Sequence, residues 1–128
     1  MGVLERLGLA DRADAAVDEL TLHDKRLLDL ARALAGSPRL VLLDEVMAGL
    51  NPTEIDRFVG IVRGIRDDLG VAIVWVEHVM RAVTDLADRV LVLEAGRILA
   101  EGSAAEVLRD RRVIEAYLGH RGDGHAAG

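Results

Sequence analysis

Apolar residues recur at helical spacing between residues 23 and 35, where Leu27, Leu30, Ala31 and Leu34 line one face. Thr21 stands where an N-cap is expected and Gly36 where the helix should stop. The next apolar run, Leu40-Val41-Leu42-Leu43, is continuous rather than periodic and ends in Asp44-Glu45. That is the mark of a buried parallel strand that delivers charge at its C-terminal edge. Asn51-Pro52, a cap followed by proline at the first helical position, opens a second long helix. Its Ile55, Phe58, Val59, Val62, Ile65 and Leu69 make one apolar face before Gly70, and such a face must cover a sheet. Residues 71–76 read as a second buried strand, followed by His78 and a short helix over 80–86. Strands near residues 90–93 and 97–100 are joined across Ala95-Gly96 as a tight hairpin, and short helices over 103–108 and 111–118 follow. Residues 3–19 have helical character that Gly8 interrupts, while residues 119–128, glycine-rich and without apolar period, should be disordered.

With 128 residues and 51% hydrophobic content, the chain can hold one compact core. A formal net charge of -6, with no interleaving of basic and aromatic residues, argues against nucleic acid as a partner. The lack of cysteine excludes a disulfide framework and a thiolate metal site, and fits a reducing compartment such as the cytoplasm. The apolar runs fall far short of the ~20 residues that a membrane helix needs, and the N-terminus has no signal-peptide pattern.

Asp44 and Glu45 are the most informative pair. A parallel strand ends at the crevice where α/β sheets bind ligands, so acids there can organise Mg2+ and a water. The same pattern also describes a strand followed by a solvated acidic turn. His78 follows the next strand, where an imidazole can reach phosphate oxygens.

In order and spacing, Ala31-Arg32-Ala33-Leu34-Ala35, Leu42-Leu43-Asp44-Glu45, Ala48-Gly49-Leu50-Asn51-Pro52 and His78 resemble the ABC-transporter ATPase family. The resemblance runs from about Leu20 onward. It implies an α/β fold, the C-terminal part of a P-loop ATPase domain, with a mostly parallel sheet, flanking helices and a C-terminal hairpin. Residues 1–118 would form a partial ATPase domain: residues 1–36 the end of its helical subdomain, residues 37–118 the core from the Walker B strand onward. By the resemblance, Asp44 is the Walker B aspartate that holds Mg2+, Glu45 polarises the attacking water, and His78 is the switch histidine at the γ-phosphate of ATP. These roles suit in-line phosphoryl transfer, which needs a positioned nucleophile and charge neutralisation. Ala48, Gly49, Leu50 and Asn51 match the D-loop, which lies across a dimer partner.

The family signature, usually LSGGQ, aligns with Leu20-Thr21-Leu22-His23-Asp24. Its hydroxyl survives in Thr21, but both glycines and the glutamine are gone, and glycines let backbone N–H groups approach phosphates closely. Thr21 and His23 are therefore nucleotide contacts or parts of a plain helix cap. Val46 stands where the family usually has proline. Within these residues the phosphate-binding pattern G-x-x-x-x-G-K-[ST] does not occur: the one lysine is Lys25, preceded by Asp24. Nor is there a glutamine for the loop that couples such ATPases to their membrane subunits.

Glu77-His78-Val79-Met80, residues 96–102 and the ending Val113-Ile114-Glu115-Ala116-Tyr117-Leu118-Gly119 are similar to branched-chain amino-acid importer ATPases. The resemblance thus implies a partial ATP-binding subunit of such an importer, using ATP and Mg2+ but inactive without an N-terminal segment. Its implied partners are a second ATP-binding subunit, identical or not, and membrane permease subunits at the inner face of the cell membrane. The alternatives are a non-catalytic remnant or accessory module paired with a complete ATPase subunit, and an unrelated α/β binding domain.

Overall fold

A computed structural model describes residues 2–118, so the disorder expected over 119–128 lies outside the described residues. The chain divides into two compact units, one ending at Val79 and one beginning at Met80.

The first unit opens with helix α1 (Val3–Arg6), far shorter than the stretch over residues 3–19 that the sequence suggested. Gly8, at φ 72°, turns the chain, and only two single 3-10 turns, Ala10–Arg12 and Val17–Glu19, follow. The apolar period holds only at Leu7 and Leu9, both buried, while exposed Asp11, Asp14, Asp18 and Glu19 give a longer helix nothing to cover. Helix α2 (Leu22–Leu34) has the expected cap, with Thr21 Oγ1 accepting from Asp24 N at 3.1 Å, and it buries Leu27, Leu30, Ala31 and Leu34. Helix α3 (Pro52–Leu69) starts in a full capping box: Asn51 Oδ1 accepts from Glu54 N at 2.9 Å, and Glu54 Oε2 accepts from Asn51 N at 3.0 Å. Gly70 ends it in the left-handed conformation at φ 63°.

Strands β1 (Leu40–Asp44) and β2 (Ala72–Val76) pair in parallel, with Leu40 opposite Ala72 and Asp44 opposite Val76. One face of the pair carries buried Val41 and Leu43 beside Ile73 and Trp75, and the Trp75 ring meets Phe58 of α3 with centroids 6.1 Å apart. The opposite face is bare, with Leu42 71% exposed and Leu40, Val74 and Val76 more than half exposed. Continuous apolar runs suit strands covered on both faces; among the described residues each is covered on one.

In the second unit, helix α4 (Met80–Leu86) precedes strands β3 (Val90–Glu94) and β4 (Arg97–Gly102), an antiparallel hairpin. Its two turn residues, Ala95 and Gly96, take φ 47° and 76°, the signs that a type I′ turn requires. Helix α5 (Ala104–Arg109), capped by Ser103, and helix α6 (Arg111–Val113), which runs on in π turns over Ile114–Leu118, complete it. Ala100, Val107 and Val113 form the core here, with Val90, Val92 and Leu99 packed against it. Among the described residues the strands thus form one parallel pair and one separate antiparallel hairpin, and no helix is long and apolar enough to cross a membrane.

Candidate functional site

The parallel pairing of β1 and β2 brings their C-terminal ends side by side. Asp44 is the last residue of β1 and is exposed; Glu45 follows it, and its N–H donates to Val76 O of β2 at 2.9 Å. Glu45 takes φ 49°, a conformation that costs a residue with a Cβ about 1 to 2 kcal/mol. Such strain persists only where the surroundings impose it. Here it turns the chain away from the strand direction while the carboxylate stays at the surface. His78, two residues past β2, faces it: His78 Nδ1 lies 3.7 Å from Glu45 Oε1, with the two side chains 62% and 58% exposed. The carboxylate and imidazole that sequence spacing singled out are therefore neighbours with open faces.

Beneath them sits a residue for which the sequence offered no role. The side chain of Glu77 is 3% exposed, and its Oε2 accepts from His78 N at 3.0 Å and from Val79 N at 3.2 Å. Its Oε1 accepts from Met47 N at 3.4 Å. A glutamate one residue beyond an apolar strand reads as part of a solvated turn, and only the tertiary fold shows it turned inward.

Residues 46–49 form a turn, with Ala48 N donating to Glu45 O. Ala48 and Gly49 are exposed, Gly49 at φ 84°, whereas Leu50 is buried and the side chain of Asn51 is engaged in the α3 cap. Of the four D-loop candidates, Ala48 and Gly49 are thus the exposed ones with no side chain committed to a hydrogen bond. Gly49 also lies against the start of α2, where a Cβ added to it would stand 2.9 Å from Leu22 Cδ2.

Thr21 Oγ1 is engaged in the α2 cap. His23 is 5% exposed and its Nε2 is buried without a hydrogen-bond partner, while Nδ1 stands 3.9 Å from Asp24 Oδ1, too far for a hydrogen bond. The imidazole points into the protein, so only main-chain atoms could meet a ligand at this position. Among the described residues no group of three or more His, Cys, Asp or Glu side chains could hold a metal ion. Asp44 fits an ion that takes one protein carboxylate and fills its shell with water and phosphate oxygens, as Mg2+ does.

Residues 97–123 match the family model described as "Branched-chain amino acid ATP-binding cassette transporter". The high-affinity branched-chain amino acid transport ATP-binding protein LivG of Salmonella typhimurium is 36% identical over 116 residues, 91% of this chain and 46% of that protein. The methionine import ATP-binding protein MetN 1 of Rhodococcus jostii is 39% identical over 108 residues, 84% of this chain and 32% of that protein. Among solved structures, the ADP conformation of MJ1267, an ATP-binding cassette of an ABC transporter, superposes with a TM-score of 0.83 at 30% identity, covering 91% of this chain and 47% of that one. The chain spans about half the length of the LivG relatives it matches. It belongs to the ATP-binding family of ABC transporters, with a likeness to the subunits of branched-chain amino-acid importers.

Proposed function

We propose that this chain carries the water-activating half of an ATP-hydrolysing site and drives import of branched-chain amino acids once a phosphate-binding loop is supplied. The observation that carries this reading is the meeting of Glu45 and His78 at 3.7 Å over the ends of two parallel strands, both side chains open to solution. Glu45 accepts the proton of the attacking water, and His78 donates to an oxygen of the γ-phosphate. When bound, Mg2+ neutralises charge on the phosphates, with Asp44 as its protein anchor. Ala48 and Gly49 face the second ATP-binding subunit, and permease subunits hold the pair at the inner face of the membrane.

Residues 1–36 belong, in this reading, to the end of a helical subdomain and residues 37–118 to the catalytic core. The bare apolar face of Leu40, Leu42, Val74 and Val76 supports a partial domain, because a parallel pair is stable when both its faces are covered. The phosphate loop and the missing cover come from polypeptide outside these 128 residues. The start of α2, closed by its own cap, favours a second reading: a module that lends its strand-end residues to a partner whose own signature segment completes the site.

Calorimetry with ATP and Mg2+ tests the first part: the chain alone gives no measurable heat of binding, and micromolar affinity would refute the need for an added loop. Co-expression with the LivG half that this chain does not span should then restore ATP hydrolysis. Nucleotide binding without turnover in that assembly would favour the accessory module.

A further inference from the structure

Loops that follow adjacent parallel strands are not tied to each other by the ladder that ends beneath them. Here the ladder reaches one step past β1, through Glu45 N to Val76 O, and then stops. Beyond it, the N–H groups of Met47, His78 and Val79 converge on a single side chain, the carboxylate of Glu77. Burying a carboxylate is costly unless donors satisfy it. Three main-chain N–H groups do so, two on one oxygen and one on the other. The two oxygens serve different loops: Oε2 holds the loop after β2, and Oε1 reaches across to the turn after β1. Met47, on the far side of that link, is itself 1% exposed, so the turn is anchored at both its side chain and its amide.

We propose that Glu77 is a positioning residue: its buried carboxylate clasps the loop after β1 to the loop after β2 and so sets the spacing between Glu45 and His78. The inference goes beyond the proposed ATPase reading, since the clasp belongs to the fold with or without nucleotide. Glutamine has nearly the same shape as glutamate but only one acceptor oxygen. In Glu77→Gln that oxygen keeps the two donors of the loop after β2, and the amide NH2 is left facing Met47 N–H, donor against donor. In Glu77→Ala both ties are lost.

The full chain, labelled with 15N and 13C, is followed by amide hydrogen exchange and by the nuclear Overhauser contact between the His78 ring and the Glu45 side chain. In the unaltered chain the Met47, His78 and Val79 amides are protected and the ring contact is present. Glu77→Gln accelerates exchange at Met47 by about tenfold while His78 and Val79 change little, as loss of one charge-assisted hydrogen bond implies. The Glu45–His78 contact weakens at the same time. In Glu77→Ala all three amides exchange faster and the contact vanishes, with α3 amides as the control for global unfolding. An unprotected Met47 amide in the unaltered chain overturns the proposal even where the alanine variant does not fold. So does a Glu45–His78 contact that survives Glu77→Gln unchanged. None of these readouts needs nucleotide, so an assembly that fails to hydrolyse ATP refutes the catalytic reading and leaves the clasp standing.

Discussion

At the ends of β1 and β2 the side chains of Asp44, Glu45 and His78 are exposed to solution, and the loops just past the two strands are held by a buried neighbour, Glu77, whose carboxylate accepts from the Met47, His78 and Val79 N–H groups. At the start of α2 the arrangement is inverted. The exposed residue, Thr21, gives its hydroxyl to the helix cap, and the imidazole of His23 is buried without a partner for Nε2. Both places hold polar residues at the edge of a regular element in the same unit, and the resemblance implies nucleotide contact at the first and leaves the second open between nucleotide contact and a plain helix cap. The contrast is the one expected between a site and a cap: at a site the supporting bonds are made by residues other than those that must act.

The largest effect that tests this contrast is expected at Glu45. In an assembly completed with the missing half, Glu45→Gln keeps nucleotide binding while turnover falls on the order of a hundredfold or more, as removal of a general base implies. Stopped-flow measurement of phosphate release, paired with binding of a fluorescent nucleotide, separates the two. Unchanged turnover would take Glu45 out of the chemistry and reduce the strand-end group to a solvated acidic turn.

Most of the elements were legible because their signals are local. The Asn51-Pro52 start and Gly70 stop of α3, the Thr21 cap of α2 and the Ala95-Gly96 turn depend on residues within four positions of one another. The approach of Glu45 to His78 was legible at one remove, since residues just past the ends of two parallel strands must meet if the strands pair in register. What escaped depends on contacts distant in sequence. Glu77 N-terminal to His78 looks like any polar residue after a strand, and its partner Met47 lies 30 residues away. His23 lies between Leu22 and Asp24; it falls four residues before Leu27 and seven before Leu30, on the apolar face of the helix, but its residue type does not mark it as buried. The bare face of β1 and β2 follows from the same continuous apolar runs: its residues are patterned for a cover that the described residues do not provide.

A smaller effect of opposite sign is expected at His23. A buried polar atom without a partner costs about 1 to 3 kcal/mol, and leucine removes it at similar volume. His23→Leu should therefore raise the stability of the unit by roughly 1 to 2 kcal/mol, seen as a higher urea midpoint with an unchanged slope. A loss of stability would mean that Nε2 has a partner in solution, and the start of α2 would then resemble the strand-end site after all.

The smallest effect belongs to Thr21, and it distinguishes a cap from a contact. Thr21 is exposed, so its methyl group adds little packing, and its part in the fold is the bond from Asp24 N to Oγ1. Thr21→Ala removes that acceptor and should lower stability by about 1 kcal/mol, whereas Thr21→Ser should keep it. Helices α3 and α5 set the scale, because their caps are reinforced by Glu54 and Glu106 three residues on, while α2 has the shorter Asp24 there and no return bond to the Thr21 amide. If Thr21 is a cap alone, turnover of the completed assembly at temperatures well below its melting point is the same for threonine, serine and alanine. A drop in turnover with alanine, recovered with serine and larger than the change in stability explains, would show that the hydroxyl touches nucleotide, and the start of α2 would then be a working half of the site.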